Sequence, residues 1–195
     1  MNKMRRNLLI ISVIVICFMV GGVTLFMRRD TSYEISNIRM SYAFDHDDLK
    51  YYMRDVDYVF LGNIEKEMGT DYEEKEVIHG EEVSTPYTKY EVKVTKTLKG
   101  DFSQGDNIQI KKMGGISENG KQYYLCEDDV IPEEGKNYIF LGYVQPNGEL
   151  LVAGKNSTIE KGETELKNKI EKLLPDVKKE GDTKRQRFQL DERYK

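Results

Sequence analysis

Twenty consecutive residues, 8–27, carry no charge at all, and this run constrains the chain more than any other feature of it. A helix of that length rises roughly 30 Å, the thickness of a bilayer's hydrocarbon core. In lipid the backbone has no water to bond, so a lone segment satisfies its N–H and C=O groups only as a helix. The run is rich in β-branched residues, which lowers helix propensity in water, but the lack of other backbone partners decides the matter in lipid. The expectation is one transmembrane helix acting as a signal anchor. Two other fates use the same residues. Cleavage of a signal peptide would place Val20 and Gly22 at the cut, against which residues 23–27 prolong the apolar run. Lipidation of Cys17 would put Ile16 where a small residue is expected. A buried helix of a soluble protein seldom lacks charge over such a length.

The flanks set an orientation. Lys3, Arg5 and Arg6 with the amino terminus outweigh Arg28 and Arg29, which Asp30 follows. Basic flanks stay inside, so residues 1–7 are expected as a cytoplasmic tail and the rest as extracytoplasmic, in a single-pass protein of the cell membrane. The remainder has 25 Lys and Arg against 34 Asp and Glu, a net charge of −9. Such a surface suits neither nucleic acid, whose phosphates need cations, nor anionic lipid. Cys17 lies within the apolar run and Cys126 stands alone beyond it, so no intramolecular disulfide is expected.

Hydrophobic periodicity then divides the soluble part. Residues 30–45 have no period and read as a stalk. Asp45-His-Asp-Asp48 opens a short helix with Asp45 as the expected N-cap, and Leu49, Tyr52, Met53 and Val56 form one apolar face. Tyr58-Val-Phe-Leu-Gly-Asn-Ile64 and Tyr138-Ile-Phe-Leu-Gly-Tyr-Val144 are apolar on both faces, as central strands are. Residues 87–98 alternate, with Tyr90, Val92, Val94 and Leu98 on the inner face. Ile108 and Ile110 mark a shorter strand, and Gln145-Pro-Asn-Gly148 turns the chain into a fifth. Leu166, Ile170, Leu173 and Leu174 make a last amphipathic helix, expected to stop at Pro175, with residues 175–195 a charged, disordered tail. The fold class that follows is mainly β. The transmembrane helix leads to a small OB-like β-barrel over residues 46–174 with flanking helices, since a Greek-key barrel of that type closes at five strands.

Residues 69–86 fit none of these elements and read as a long inserted loop. Its 18 residues hold six acids against one lysine. Long loops inside compact domains are functional or disordered, so Tyr72, Glu73, Glu74, Glu76, His79, Glu81 and Glu82 are the candidate partner-binding residues, with residues 115–124 a second contact stretch.

Several local patterns come in a recognisable order: Asp57-Tyr-Val-Phe-Leu-Gly62, then Val92-Lys-Val-Thr-Lys-Thr-Leu-Lys-Gly100, Gly105-Asp-Asn-Ile108, Gly114-Gly115, and Pro132-Glu-Glu-Gly-Lys-Asn-Tyr-Ile139. Over residues 46–156 the chain resembles bacterial surface domains of the netrin/tissue-inhibitor-of-metalloproteinases-like kind. The resemblance implies an OB-type barrel and a binding or inhibitory role. Animal inhibitors of this fold act through an N-terminal cysteine that reaches the target's metal; this chain has no such cysteine, so that mechanism does not transfer.

Patterns for chemistry are sparse. His46 and His79 do not make a three-histidine site and lie in no H-E-x-x-H motif. Acids beside Cys126 raise a thiol pKa, the wrong direction for a nucleophile. No serine lies in a G-x-S-x-G elbow, and Glu127-Asp-Asp129 with Glu133-Glu134 lacks the spacing of a calcium loop. The expectation is a non-catalytic binding or inhibitory module without a cofactor, whose partner is a protein or a cell-wall component. The competing readings are a structural component of a membrane or envelope complex and a hydrolase using a scattered carboxylate pair.

Overall fold

Two strands with apolar residues on both faces organise the domain, because each separates one core from another. The computed structural model describes residues 33–195 apart from 40, 42, 79, 80, 161 and 163, and leaves aside the side chains of Ile78 and Glu81. The apolar run 8–27 and His79 lie outside the described residues. Among the described residues no helix is long and apolar enough to cross a membrane.

In chain order the elements are β1 (Glu34–Ile38), α1 (Leu49–Asp55), β2 (Tyr58–Ile78), β3 (Glu81–Lys99), β4 (Asn107–Met113), β5 (Gly115–Ile116), β6 (Gln122–Cys126), β7 (Asn137–Val144), β8 (Leu150–Val152), β9 (Thr158–Glu160) and α2 (Thr164–Glu180), with a 3-10 turn at Glu192–Tyr194. Antiparallel pairings join β2 to β3, β3 to β4, β8 to β7 and β7 back to β2, while β4 and β8 pair in parallel. The pairings thus return to the strand they start from. β9 continues the sheet beyond β7, and a second sheet runs β1–β6–β5, with β1 parallel to β6.

The two faces of β2 and β7 carry different cores. Phe60, Ile64, Tyr138, Phe140 and Val144 join Val92, Ile108, Ile110, Leu150 and Val152 in one cluster. Val59, Ile139 and Leu141 face the other way, under Leu49, Tyr52, Met53 and Val56 of α1 and Ile170 and Val177 of α2. Gly62 permits this packing: a Cβ there would stand 2.3 Å from Val92 Cγ1.

Four expectations need correction. Leu98 does not share the face of Val92 and Val94. Leu61 pairs with Lys96 and Gly62 with Val94, so Thr95 is an extra residue that inverts the alternation, and Leu98 joins the helix-side core. The stalk reading fails for Glu34–Ile38, which is a strand held by β6. The N-cap of α1 is Asp48, whose Oδ1 accepts from Tyr51 N–H at 3.0 Å; Asp45 Oδ1 accepts from Asp47 N–H instead.

The fourth concerns the C-terminus. Helix α2 passes through Pro175 to Glu180, because packing outweighs the bond that proline cannot make. Val177 is buried, Arg54 binds Glu180 at 2.9 Å, Lys50 also binds it, and Gly181 at φ +71° caps the end, its N–H donating to Val177 O at 2.9 Å. The residues beyond run along the domain as an ordered strap. Arg185 Nη2 and Arg187 Nη1 donate to the two oxygens of Asp57 at 2.6 and 2.7 Å. Leu190 enters the cluster of Phe60 and Val92, with Phe188 and Tyr194 packed against it.

Candidate interaction surface

β7 accompanies β2 only from Tyr58 to Asn63, and β4 accompanies β3 only from Thr88 to Lys93. Past those points β2 and β3 continue as a two-stranded ribbon, paired as far as Ile78 with Glu81. The expected loop at 69–86 is therefore a hairpin arm. On β2 residues 73–77 are all exposed, so that strand shows no inner and outer face, whereas on β3 Ser84, Pro86 and Thr88 are buried. The register slips between Glu67 and Gly69 and again between Glu73 and Glu76.

The arm is braced at its root. Thr70 Oγ1 and Thr88 Oγ1 lie 3.2 Å apart, Lys89 reaches Asp71 at 3.0 Å, and Glu67 N–H donates to Glu134 Oε1 at 2.7 Å. Lys111 on β4 donates to Glu73 at 2.5 Å and to Glu149, in the β7–β8 turn, at 2.8 Å. Burial acts to lower the Lys111 pKa, but the two carboxylates outweigh it and the net shift is upward.

The candidate residues thus divide. Tyr72 is half-buried opposite Pro86, Glu73 is committed to Lys111, and Glu74 accepts from Tyr87 O–H at 3.3 Å. Glu76 and Glu82 are exposed near the tip, beside Val77, which is 75 % exposed. Glu81 pairs through its backbone with Ile78.

Residues 115–124 come up against this arm. The turn between β5 and β6 is tightened by Asn119, whose Oδ1 accepts from Lys121 N–H at 3.0 Å, and Gly114 N–H donates to Pro86 O at 2.8 Å. Glu118 then faces the arm: Ser84 Oγ donates to its Oε2 at 3.2 Å, and Lys75 stands 3.3 Å from Glu82 and 3.6 Å from Glu118. Between the two hairpins lies a polar groove of about 290 Å³, bordered by Glu82, Val83, Ser84, Ser117, Glu118 and Asn119. Ser84 and Lys75 are residues that the acid count alone did not single out. The Asn119-Gly120 turn, which aims Glu118 at the arm, was the available signal.

Elsewhere three titratable groups that the sequence pointed to are taken up within the fold. His46 is buried, stacked on Phe44 and Tyr52 at 4.7 and 4.3 Å, with Nδ1 3.0 Å from Lys155 O. Asp47 forms an ion pair with Lys155 at 2.8 Å. Cys126 is buried, and that burial, aided by Asp129, pushes its thiol up to about 11. Among the described residues no three His, Cys, Asp or Glu side chains come together as metal ligands do.

No curated protein matches the chain. The family model of the UNC-6/NTR/C345C module matches residues 50–175, which run from α1 through the paired strands into α2. The chain belongs to the NTR family.

Proposed function

We propose that this chain is a non-catalytic binding or inhibitory module, anchored in the cell membrane and extracytoplasmic, that engages a protein or cell-wall-associated partner through the β2–β3 arm and the β5–β6 turn. NTR modules are binding or inhibitor-type domains, which supports the class. The five strands that pair in a ring, with third and fifth parallel, support an OB-like barrel, and such barrels bind through loops at one side. The observation that carries the surface assignment is the arm itself, which overhangs the sheet, is braced at its root by Lys111, and exposes Glu76, Val77 and Glu82 at its tip.

The acidic tip suits a partner with a basic surface, since complementary charge governs encounter and partner choice. The test is capture from native membranes with the intact protein and with a Glu76→Lys/Glu82→Lys/Glu118→Lys variant, which leaves the brace at Glu73 untouched. The variant should keep the parent's melting behaviour and lose the captured partner, and raised salt should weaken capture by the parent. Unchanged recovery by a folded variant would move the contact off this surface.

A further inference from the structure

At the two ends of the β5–β6 hairpin stands a pair of ionisable side chains shut off completely from solvent. Lys112 on β4 and Asp129, just past β6, each have 0 % side-chain exposure, and Lys112 Nζ stands 2.5 Å from Asp129 Oδ2. Their surroundings are specific. Val130 N–H donates to Oδ1 at 2.8 Å and Gly154 N–H to Oδ2 at 3.0 Å. Ser157 Oγ, itself buried, is 2.8 Å from Nζ and 3.2 and 3.4 Å from the two carboxyl oxygens. An amine, a carboxyl group, two N–H donors that polarise the carboxyl, and a hydroxyl touching both groups therefore meet in a site without access to water.

We propose that Lys112 and Asp129 condense into an intramolecular amide that cross-links β4 to the segment after β6. Removal from water disfavours both charges, so transfer of one proton within the pair gives a neutral amine and a neutral acid. Burial lowers the Lys112 pKa, in the same direction, although Asp129 opposes it. The Nζ lone pair adds to Cγ of Asp129, and the displaced electron pair rests on Oδ1, where the Val130 N–H holds the negative charge. Ser157 Oγ accepts a proton from Nζ and passes its own to Oδ2. The Cγ–Oδ2 bond breaks, Oδ2 leaves as water, and the Cγ=Oδ1 bond reforms. One C–N bond is made, one C–O bond is lost, and one water is released, without an oxidant, reductant or co-substrate.

The ring so closed contains the whole β5–β6 hairpin, and with it Glu118 at the groove. A covalent tie at the root of that hairpin fixes its position against load, whatever partner the surface takes.

Intact-mass measurement of the purified full-length protein tests the proposal directly, since it needs no variant to fold. The expected mass is lower than that of the sequence by about 18 Da, one water. A protease digest should contain a branched peptide joining the Lys112 and Asp129 segments, and the Asp129→Asn variant should instead lose ammonia, about 17 Da. Lys112→Arg should retain its full mass. Wild-type protein at its full sequence mass after long incubation at neutral pH would overturn the proposal and leave the pair as an ion pair only. A mass loss mapped to other residues, or one that persists in Lys112→Arg, would overturn it as well.

Discussion

Asp57→Ala removes the carboxylate on which the C-terminal strap closes, and the structure fixes what is lost. The Asp57 side chain is 9 % exposed, and the guanidinium groups that meet it belong to side chains 22 % and 25 % exposed. It accepts from Arg185 at 2.6 Å, from Arg187 at 2.7 Å and from Val144 N–H at 2.8 Å. A hydrogen bond to a charged group contributes about 1.5–3 kcal/mol, and breaking a buried pair costs about 3–5. Both arginines keep backbone acceptors, Arg185 at Asp55 O and Arg187 at Val56 O and Arg54 O, which softens the loss. The expected destabilisation is therefore about 3–4 kcal/mol, roughly 8–12 °C in Tm for a domain of this size. Deleting residues 182–195 should cost more, since burial of Leu190 adds about 1.5–3 kcal/mol. Urea and thermal unfolding read by far-UV circular dichroism supply both numbers, and a double-mutant cycle with Arg187→Ala should show strong coupling. A change below about 1 kcal/mol in both Asp57→Ala and the deletion would refute the strap as part of the fold's stability.

Val92→Asp and Val94→Asp should each unfold the domain, as both positions are at most 1 % exposed, whereas Lys93→Asp, on the opposite face, should shift the melt by under about 0.5 kcal/mol. In a Cys17→Ser background, Cys126 should resist thiol reagents at pH 8 until the protein unfolds, since a thiol at about 11 leaves about one part in a thousand as thiolate; rapid labelling of the native state would contradict its burial. Burial acts to raise the Glu149 pKa, but bonds from Lys111 and Asn147 outweigh it and hold it below its usual 4.5. Its contribution is therefore present above that value and lost as pH falls through the lowered one. Glu149→Gln should weaken the fold at pH 7 and converge with wild type in acid, and a constant difference across the range would exclude this linkage.

What the sequence disclosed follows from how strongly each element is buried on one side. Leu49, Tyr52, Met53 and Val56 show a helical period because α1 lies on a core, and the double-faced runs at 58–64 and 138–144 are legible because both faces are covered. Leu98 misled because one bulged residue, Thr95, reverses parity without leaving a compositional trace. The arm escaped because residues 73–77 of β2 are exposed on both faces and show no alternation, so its acids resemble those of a loop. The strap escaped because polar groups anchor it: Arg185 and Arg187 look solvated until Asp57 is found facing them across 128 and 130 residues. Phe188 and Leu190, two apart, were the remaining hint of an extended, half-covered segment.

The arm's open margin has a further consequence. Among the described residues no strand pairs with the outer edge of β2 beyond Asn63; Ile64 and Glu67 bond to the segment 134–136, and the margin past them is of the kind that recruits another strand. That stretch of β2 carries Glu65, Glu67, Asp71, Glu73, Glu74 and Glu76 against the two cations Lys66 and Lys75. Two copies laid margin to margin would oppose acid to acid over most of the contact, so self-pairing is repelled while a strand of opposite charge is not. The acidity of this ribbon thus acts as a guard against fibrillar association, a duty that falls on every copy whether or not another molecule is bound.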